Sequence, residues 1–227
     1  MDAKTPNRAI WTPGGLRFLQ VGGAEDRFPD PPSSGCGGEV ESGLPKVRKK
    51  TTSWHVAVAA EALAAAQFAR CGFDVSIQYG ANQPEYDLIV ARDDQMLKVS
   101  VKGSRDGSWG LTQSHLKEAN YQGAIDTWLE RHGSLTVFCF VQFDGVDLQH
   151  MPRLYLARPR EVAERLRATA KGRCDSILYE EHRWGPRAIG AGTVERIPSE
   201  WRFTMARIEE LLAGQTRGDV PKQVPIR

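Results

Sequence analysis

Apolar positions recur along this chain with two periods, and the switches between them mark its elements. From about Trp54 to Arg70 the sequence is Ala-rich and apolar nearly all round, which predicts a buried helix. Thr51-Thr52-Ser53 offers N-cap candidates and Cys71-Gly72 a C-terminal stop. At 3.6 residues per turn, Glu61 falls between Trp54, Ala57, Val58, Ala65 and Phe68, while His55, Gln67 and Arg70 lie elsewhere on the wheel. Glu61 is the helix's only acid. An unpaired carboxylate on such a face costs several kcal/mol, so it calls for a cationic partner or a metal ion.

The period then shortens to two. Phe73, Val75, Ile77 and Tyr79 alternate as a first strand, and Gly80 to Pro84 make a turn. Leu88 and Val90 on one limb, with Leu97, Val99 and Val101 on the other, predict a β-hairpin closed at Asp93-Asp94. A two-residue turn sets Asp87 opposite Ser100; a turn one residue later sets it opposite Lys102. Ser100 and Lys102 share a strand face, and cross-strand neighbours lie about 5 Å apart. The hairpin thus gathers a carboxylate, a hydroxyl and an ammonium. The bland alternative is a solvated edge hairpin.

A glycine-rich loop, Gly103 to Gly110, leads to a helix expected from Thr112 to about Arg131. A loop of this kind entering a helix N-terminus is an anion site, and Gln113 and Ser114 would reach the same pocket. Thr136 to Phe143 is a near-continuous apolar run, as for a central strand covered on both faces. Further on, the pattern predicts a strand over Met151 to Ala157, a helix from Pro159 to about Ala170, a strand over Asp175 to Tyr179 and an irregular segment over His182 to Thr193. A terminal helix follows from Pro198 to about Leu212. Residues 1–50 are Gly/Pro/Ser-rich and read as a disordered arm ending in the basic cluster Lys46-Val-Arg-Lys-Lys50. Residues 214–227 read as a flexible tail. The domain between them spans 51–213, with a core over about 51–145 and an extension over about 146–213.

Length and charge narrow this picture. The 227 residues suffice for one good core. A formal net charge of only +2 means that any nucleic-acid affinity has to come from a local patch. Arg158, Arg160, Arg165, Arg167, Lys171 and Arg173 form one basic segment, read first as a solvated face and second as a nucleic-acid contact. Cys36, Cys71, Cys139 and Cys174 form no close pair, and the histidines have no zinc-ligand spacing. No apolar run reaches membrane-spanning length, so the expected protein is soluble, cytoplasmic and without a membrane partner.

The order of these elements, with Glu61 on the first helix, Pro84-Glu-Tyr-Asp87 before one strand and Ser100-Val-Lys102 on the next, resembles the PD-(D/E)xK, or restriction-endonuclease-like, nucleases. The resemblance implies an α/β fold with a three-layer core, a mixed β-sheet flanked by helices, here with a C-terminal α/β extension. It implies a divalent cofactor, Mg²⁺ or Mn²⁺, with Asp87, Glu61 and Val101 as metal ligands. Lys102 would position or activate the attacking water, with Ser100 and Gln113 completing the catalytic set. Two departures from the pattern stand out. Ser100 occupies the second acidic position, and Pro84 lies three residues before Asp87 rather than next to it. The implied function is a metal-dependent DNA nuclease, an endonuclease, with DNA as partner and homodimerisation left open. Two rivals remain: a nuclease fold that has lost catalysis and binds nucleic acid or a protein, and an unrelated α/β protein in which Glu61 and Lys102 form a structural pair.

Overall fold

Thr52 starts helix α1 (Ser53–Arg70) through a reciprocal cap: its hydroxyl accepts from the His55 amide, and the His55 ring accepts from the Thr52 amide. Gly72, at φ +82°, turns the chain out of the helix. These are features of a computed structural model that describes residues 51–78, 85–133, 135–185 and 192–214. The basic cluster at 46–50, Tyr79, the turn at 80–84 and the C-terminal tail from 215 lie outside the described residues, as does 186–191.

Strands β1 (Asp74–Ile77), β2 (Leu88–Arg92) and β3 (Gln95–Ser104) form an antiparallel meander. Asp93, at φ +54°, makes the tight turn between β2 and β3, a conformation that Asp tolerates. After β4 (Ser108–Gly110), a 3-10 turn at Gln113–His115 and helix α2 (Tyr121–Glu130), β5 (Thr136–Gln142) lies parallel to β3. β6 (Arg153–Ala157) pairs antiparallel with β5, completing a five-stranded mixed sheet in the order β1-β2-β3-β5-β6. Helix α3 (Pro159–Gly172) follows, then β7 (Ile177–Tyr179), paired with β4, and the hairpin β8 (Glu181–Arg183) with β9 (Val194–Arg196). A 3-10 turn at Ser199–Trp201 and helix α4 (Met205–Ala213) end the described chain.

Alternation along β5 shows how the sheet is covered on both faces. Val137, Cys139 and Val141 join Leu97 and Val99 against Ala60, Ala64 and Phe68 of α1 and Ile208 and Leu211 of α4. Phe138 and Phe140 point the other way, into Ile125 and Trp128 of α2 and Val162 and Leu166 of α3. Every residue of β5 is buried, as the unbroken apolar run predicts.

Four expectations need correction. Helix α1 is not buried all round: its fully buried residues are Ala60, Ala64 and Phe68, while Trp54 and Val58 are exposed. Alanine is small enough to be apolar by composition yet sit at the surface. The second helix starts at Tyr121 rather than near Thr112, because Glu118 and Ala119 take positive φ (50° and 59°) and Asn120 is the cap, its side chain accepting from Gly123 N. The segment from His182 to Thr193 is not irregular from its start, since His182 and Arg183 belong to β8, which pairs with β9 just beyond the segment's end. The last helix is split: Arg202 bridges to Tyr155 and Phe203 N donates to Leu154 O (2.9 Å), so α4 begins only after Thr204.

Candidate active site

The sheet opens where β2 begins. Leu88 pairs with Val99, so Val101 to Ser104 of β3 run past the start of β2 while still paired with β5 on their other side. The turn is the two-residue kind, and the paired register ends at Leu88 opposite Val99, one residue short of Asp87. The Asp87 amide donates to Val99 O (2.8 Å), and its carboxylate Oδ2 accepts from Val101 N at 2.6 Å. A side chain thus takes the place of the missing strand. In a strand the N–H and C=O of one residue point to the same neighbour, so the Val101 carbonyl also faces the Asp87 side.

Gly103 brings the helix in. A Cβ at this position would meet Ala60 Cβ at 2.8 Å and Val56 O at 2.9 Å, so only glycine lets α1 lie this close to β3. That approach carries Glu61 to the open strand edge. Glu61, Asp87, Val101 and Lys102 line one cleft of about 330 Å³, with Ala57, Gly103, Ser108, Trp109, Gly110 and Leu111 around them. Burial pushes the half-buried Glu61 carboxyl above its ordinary range, the Asp87 charge raises it further, and Lys102 opposes both. Among the described residues neither Glu61 nor Lys102 has an ion-pair partner within 4.0 Å. The structural pair Glu61–Lys102 expected under one rival reading is therefore not formed.

The remaining residues named from the sequence are placed differently. Ser100 is buried (1% exposed) beside Phe138 of β5 and outside the cleft's lining, because β3 is a central strand and not the edge of a hairpin. Gln113 is exposed, with its side-chain oxygen against Gly110 at the cleft's rim. The glycine-rich loop borders the cleft, and the amides of Asp106 and Ser108 are turned to side chains within the loop. Ser104 Oγ accepts from the amides of Asp106 and Ser108 (3.3 and 3.2 Å), and Asp106 Oδ1 also takes Ser108 N at 3.2 Å, so these donors are already used. No helix begins there either, since α2 starts at Tyr121.

Two contributors were missed from the sequence. Trp109, buried in this loop, donates Nε1 to Lys102 O (2.9 Å) and so fixes the end of β3 from which the Lys102 side chain leaves. A tryptophan among glycines was the available signal. On the α2 side, His132 packs against Trp128 and Phe138 (centroids 4.6 and 5.0 Å) and lies 3.4 Å from Glu85. Burial lowers the His132 pKa; Glu85 opposes this, and Lys102 and His115 add to it. Burial alone would raise Glu85, but donors from Gly133 and Thr136, with His132, hold it below its ordinary range. Nothing in the spacing of Glu85 and His132 announced this contact.

The donor set suits some metals and not others. Among the described residues no three His, Cys, Asp or Glu side chains are grouped to hold an ion. Two carboxylates and a backbone carbonyl do not make a zinc site. They do fit a hard cation that keeps several waters, as Mg²⁺ does with one or two carboxylates. Burial first and the Asp87 charge second raise the Glu61 pKa, and a cation held by both carboxylates would relieve the second.

No family model matches the chain, and no curated protein matches it. Among solved structures it is similar to a bacterial homing endonuclease, I-Ssp6803I, at 13% identity over 75% of this chain and 100% of that one, with a TM-score of 0.41. No helix among the described residues is long and apolar enough to cross a membrane.

Proposed function

We propose that this protein is a Mg²⁺- or Mn²⁺-dependent nuclease that hydrolyses phosphodiester bonds in DNA as an endonuclease, on a restriction-endonuclease-like core. The observation that carries this reading is one cleft lined by Glu61, Asp87 and Lys102, where both carboxylates and the ammonium act on one another and no ion pair neutralises them. A purely structural cluster would have paired these charges. In this reading Asp87, Glu61 and the Val101 carbonyl would hold the ion, which would supply charge neutralisation at the phosphate and lower the pKa of a water there. The Val101 amide fixes the Asp87 carboxylate so that its second oxygen stays free for this task. Lys102 orients the attacking water beside the scissile phosphate, its strand end held by Trp109. In this reading Ser100, buried within β3, and Gln113, near Gly110 at the rim, take no part in holding the ion.

A second reading, a nuclease-like fold that binds nucleic acid or a protein without cleaving, draws on the same departures: two carboxylates where a richer site would carry three, and a buried serine at the second acidic position. A cleavage assay with Mg²⁺ and Mn²⁺ on linear, circular, branched and single-stranded DNA, with Asp87→Ala as control, separates them. Metal-dependent cleavage that the substitution abolishes supports the nuclease; binding without cleavage under either metal supports the second reading.

A further inference from the structure

The two flanks of α1 lead to different places. Glu61 lies on the flank facing Asp87, whereas Gln67 and Arg70, near the helix's C-terminal end, lie on the other. Beside them is a separate cavity of about 310 Å³ whose lining includes three arginines and no acid. Arg70 comes from the last turn of α1, Arg153 from the start of β6 and Arg202 from the link before α4.

Each guanidinium is already oriented. Arg70 Nη1 donates to Gln67 Oε1 (3.2 Å). Arg153 is clamped by Glu180 through Nε and Nη2 (2.6 and 2.7 Å) and by Asp144 O (3.0 Å), contacts that leave its Nη1 uncommitted. Arg202 rests over the Tyr155 ring, 5.3 Å from its centroid. Arg70 and Arg202 have no acidic partner within 4.0 Å among the described residues. The helix dipole accounts for one arginine in the last turn of α1. It does not account for two more converging on the same cavity from other elements.

We propose that this cavity is a phosphate-binding site, distinct from the Asp87 cleft. Planar guanidinium forks match phosphate oxygens and cannot be discharged, and forks held in place beforehand lose little entropy on binding. Met151, Leu154 and Phe203 give the cavity an apolar floor, which lowers the local dielectric and strengthens those contacts. The phosphate belongs either to a nucleic-acid backbone running past the end of α1 or to a small phosphate compound. The backbone case rests on the function proposed above; the small-compound case does not.

The test uses the full chain with chelator present, comparing wild type with Arg70→Gln/Arg202→Gln. Duplex affinity is measured across a salt series, and the melting temperature is measured with and without inorganic phosphate. If the site takes nucleic-acid backbone, the double variant binds duplex more weakly and its salt dependence is shallower by about two in log–log slope, one for each lost contact. Cleavage at saturating DNA, assayed separately with Mg²⁺ in place of chelator, then stays unchanged. If it takes a small compound, phosphate raises the melting temperature of wild type and not of the variant, with the duplex slope unaltered. A variant that matches wild type in both duplex slope and phosphate response overturns the site. Wild type that binds no duplex removes the nuclease reading, and the phosphate response alone then decides. Arg70→Lys/Arg202→Lys controls for charge: it folds with both charges kept and is expected to recover only part of the effect, because the fork geometry is lost.

Discussion

Glu61 is the most exposed to test of the cleft residues, because its two surroundings pull in opposite directions. A raised folded-state pKa means that the folded protein holds the Glu61 proton after the unfolded chain has released it. The stability this group contributes is therefore complete below the ordinary carboxylate pKa and is lost as pH rises through the elevated folded value. At neutral pH the ionised Glu61 is a liability in the metal-free protein. Glu61→Gln is expected to melt higher than wild type at pH 7 without metal, with the difference shrinking as pH falls into the acid range. Added Mg²⁺ should reverse the order, stabilising wild type more than the variant; melting curves over pH with and without Mg²⁺ read both. Lys102 is the complementary case. With no ion pair to break, Lys102→Ala is expected to cost no more than about 1 kcal/mol in denaturant titrations, while cleavage is abolished and duplex affinity hardly moves. A loss of several kcal/mol would instead mean that Lys102 serves the fold.

The elements explain why these two side chains meet at all. The two-residue turn at Asp93-Asp94 was one of two open in the sequence, since alternation on each limb limits the hairpin to slips of a single residue. What no pattern announced was that β2 stops short and that Asp87 substitutes for it at Val101 N. The role of Gly103 was equally hidden, because a glycine in a strand signals a bulge, a bend or a close approach without saying which. Here the space shows it to be the approach of α1. Gly103→Ala is expected to destabilise by about 1–3 kcal/mol through overpacking against Ala60 and the Val56 carbonyl, a helix backbone atom that cannot swing aside. Since relief comes from moving α1 outward, Glu61 should retreat from Asp87, and the pH dependence of Glu61 should weaken in the same variant. The start of α2 was misread for a related reason. Thr112 looked like a cap, yet the chain reaches the helix through left-handed Glu118 and Ala119, residue types that carry no signal for that conformation.

On the scale of the whole molecule, a chain of net charge +2 has few arginines to spare, and the structure shows where many are committed. The basic segment around α3 was read first as a solvated face and second as a nucleic-acid contact, but three of its six members hold elements together. Arg167 Nη2 lies 2.5 Å from Asp126 of α2, Arg165 is 3.7 Å from Glu195 of β9, and Arg158 Nη2 donates to Leu211 O of α4. Arg207, 3% exposed by side chain, joins α4 to Glu161 of α3 and to Leu156 O of β6. Sequence spacing could show that α3 is basic; it could not show that the acids answering it come from α2 and the β8–β9 hairpin, elements distant in the chain. Arg207→Ala is expected to cost roughly 2–3 kcal/mol, below the roughly 3–5 of a fully enclosed pair because Glu161 keeps some contact with water. Arg165→Ala/Arg167→Ala gives the sharper contrast. If these arginines are structural, the double variant melts lower, because two inter-element contacts are lost, while the salt dependence of duplex binding keeps the wild-type slope. A slope shallower by about two, with melting unchanged, would instead make α3 part of the nucleic-acid surface and move the track of the backbone to the α2–α3 face of the sheet.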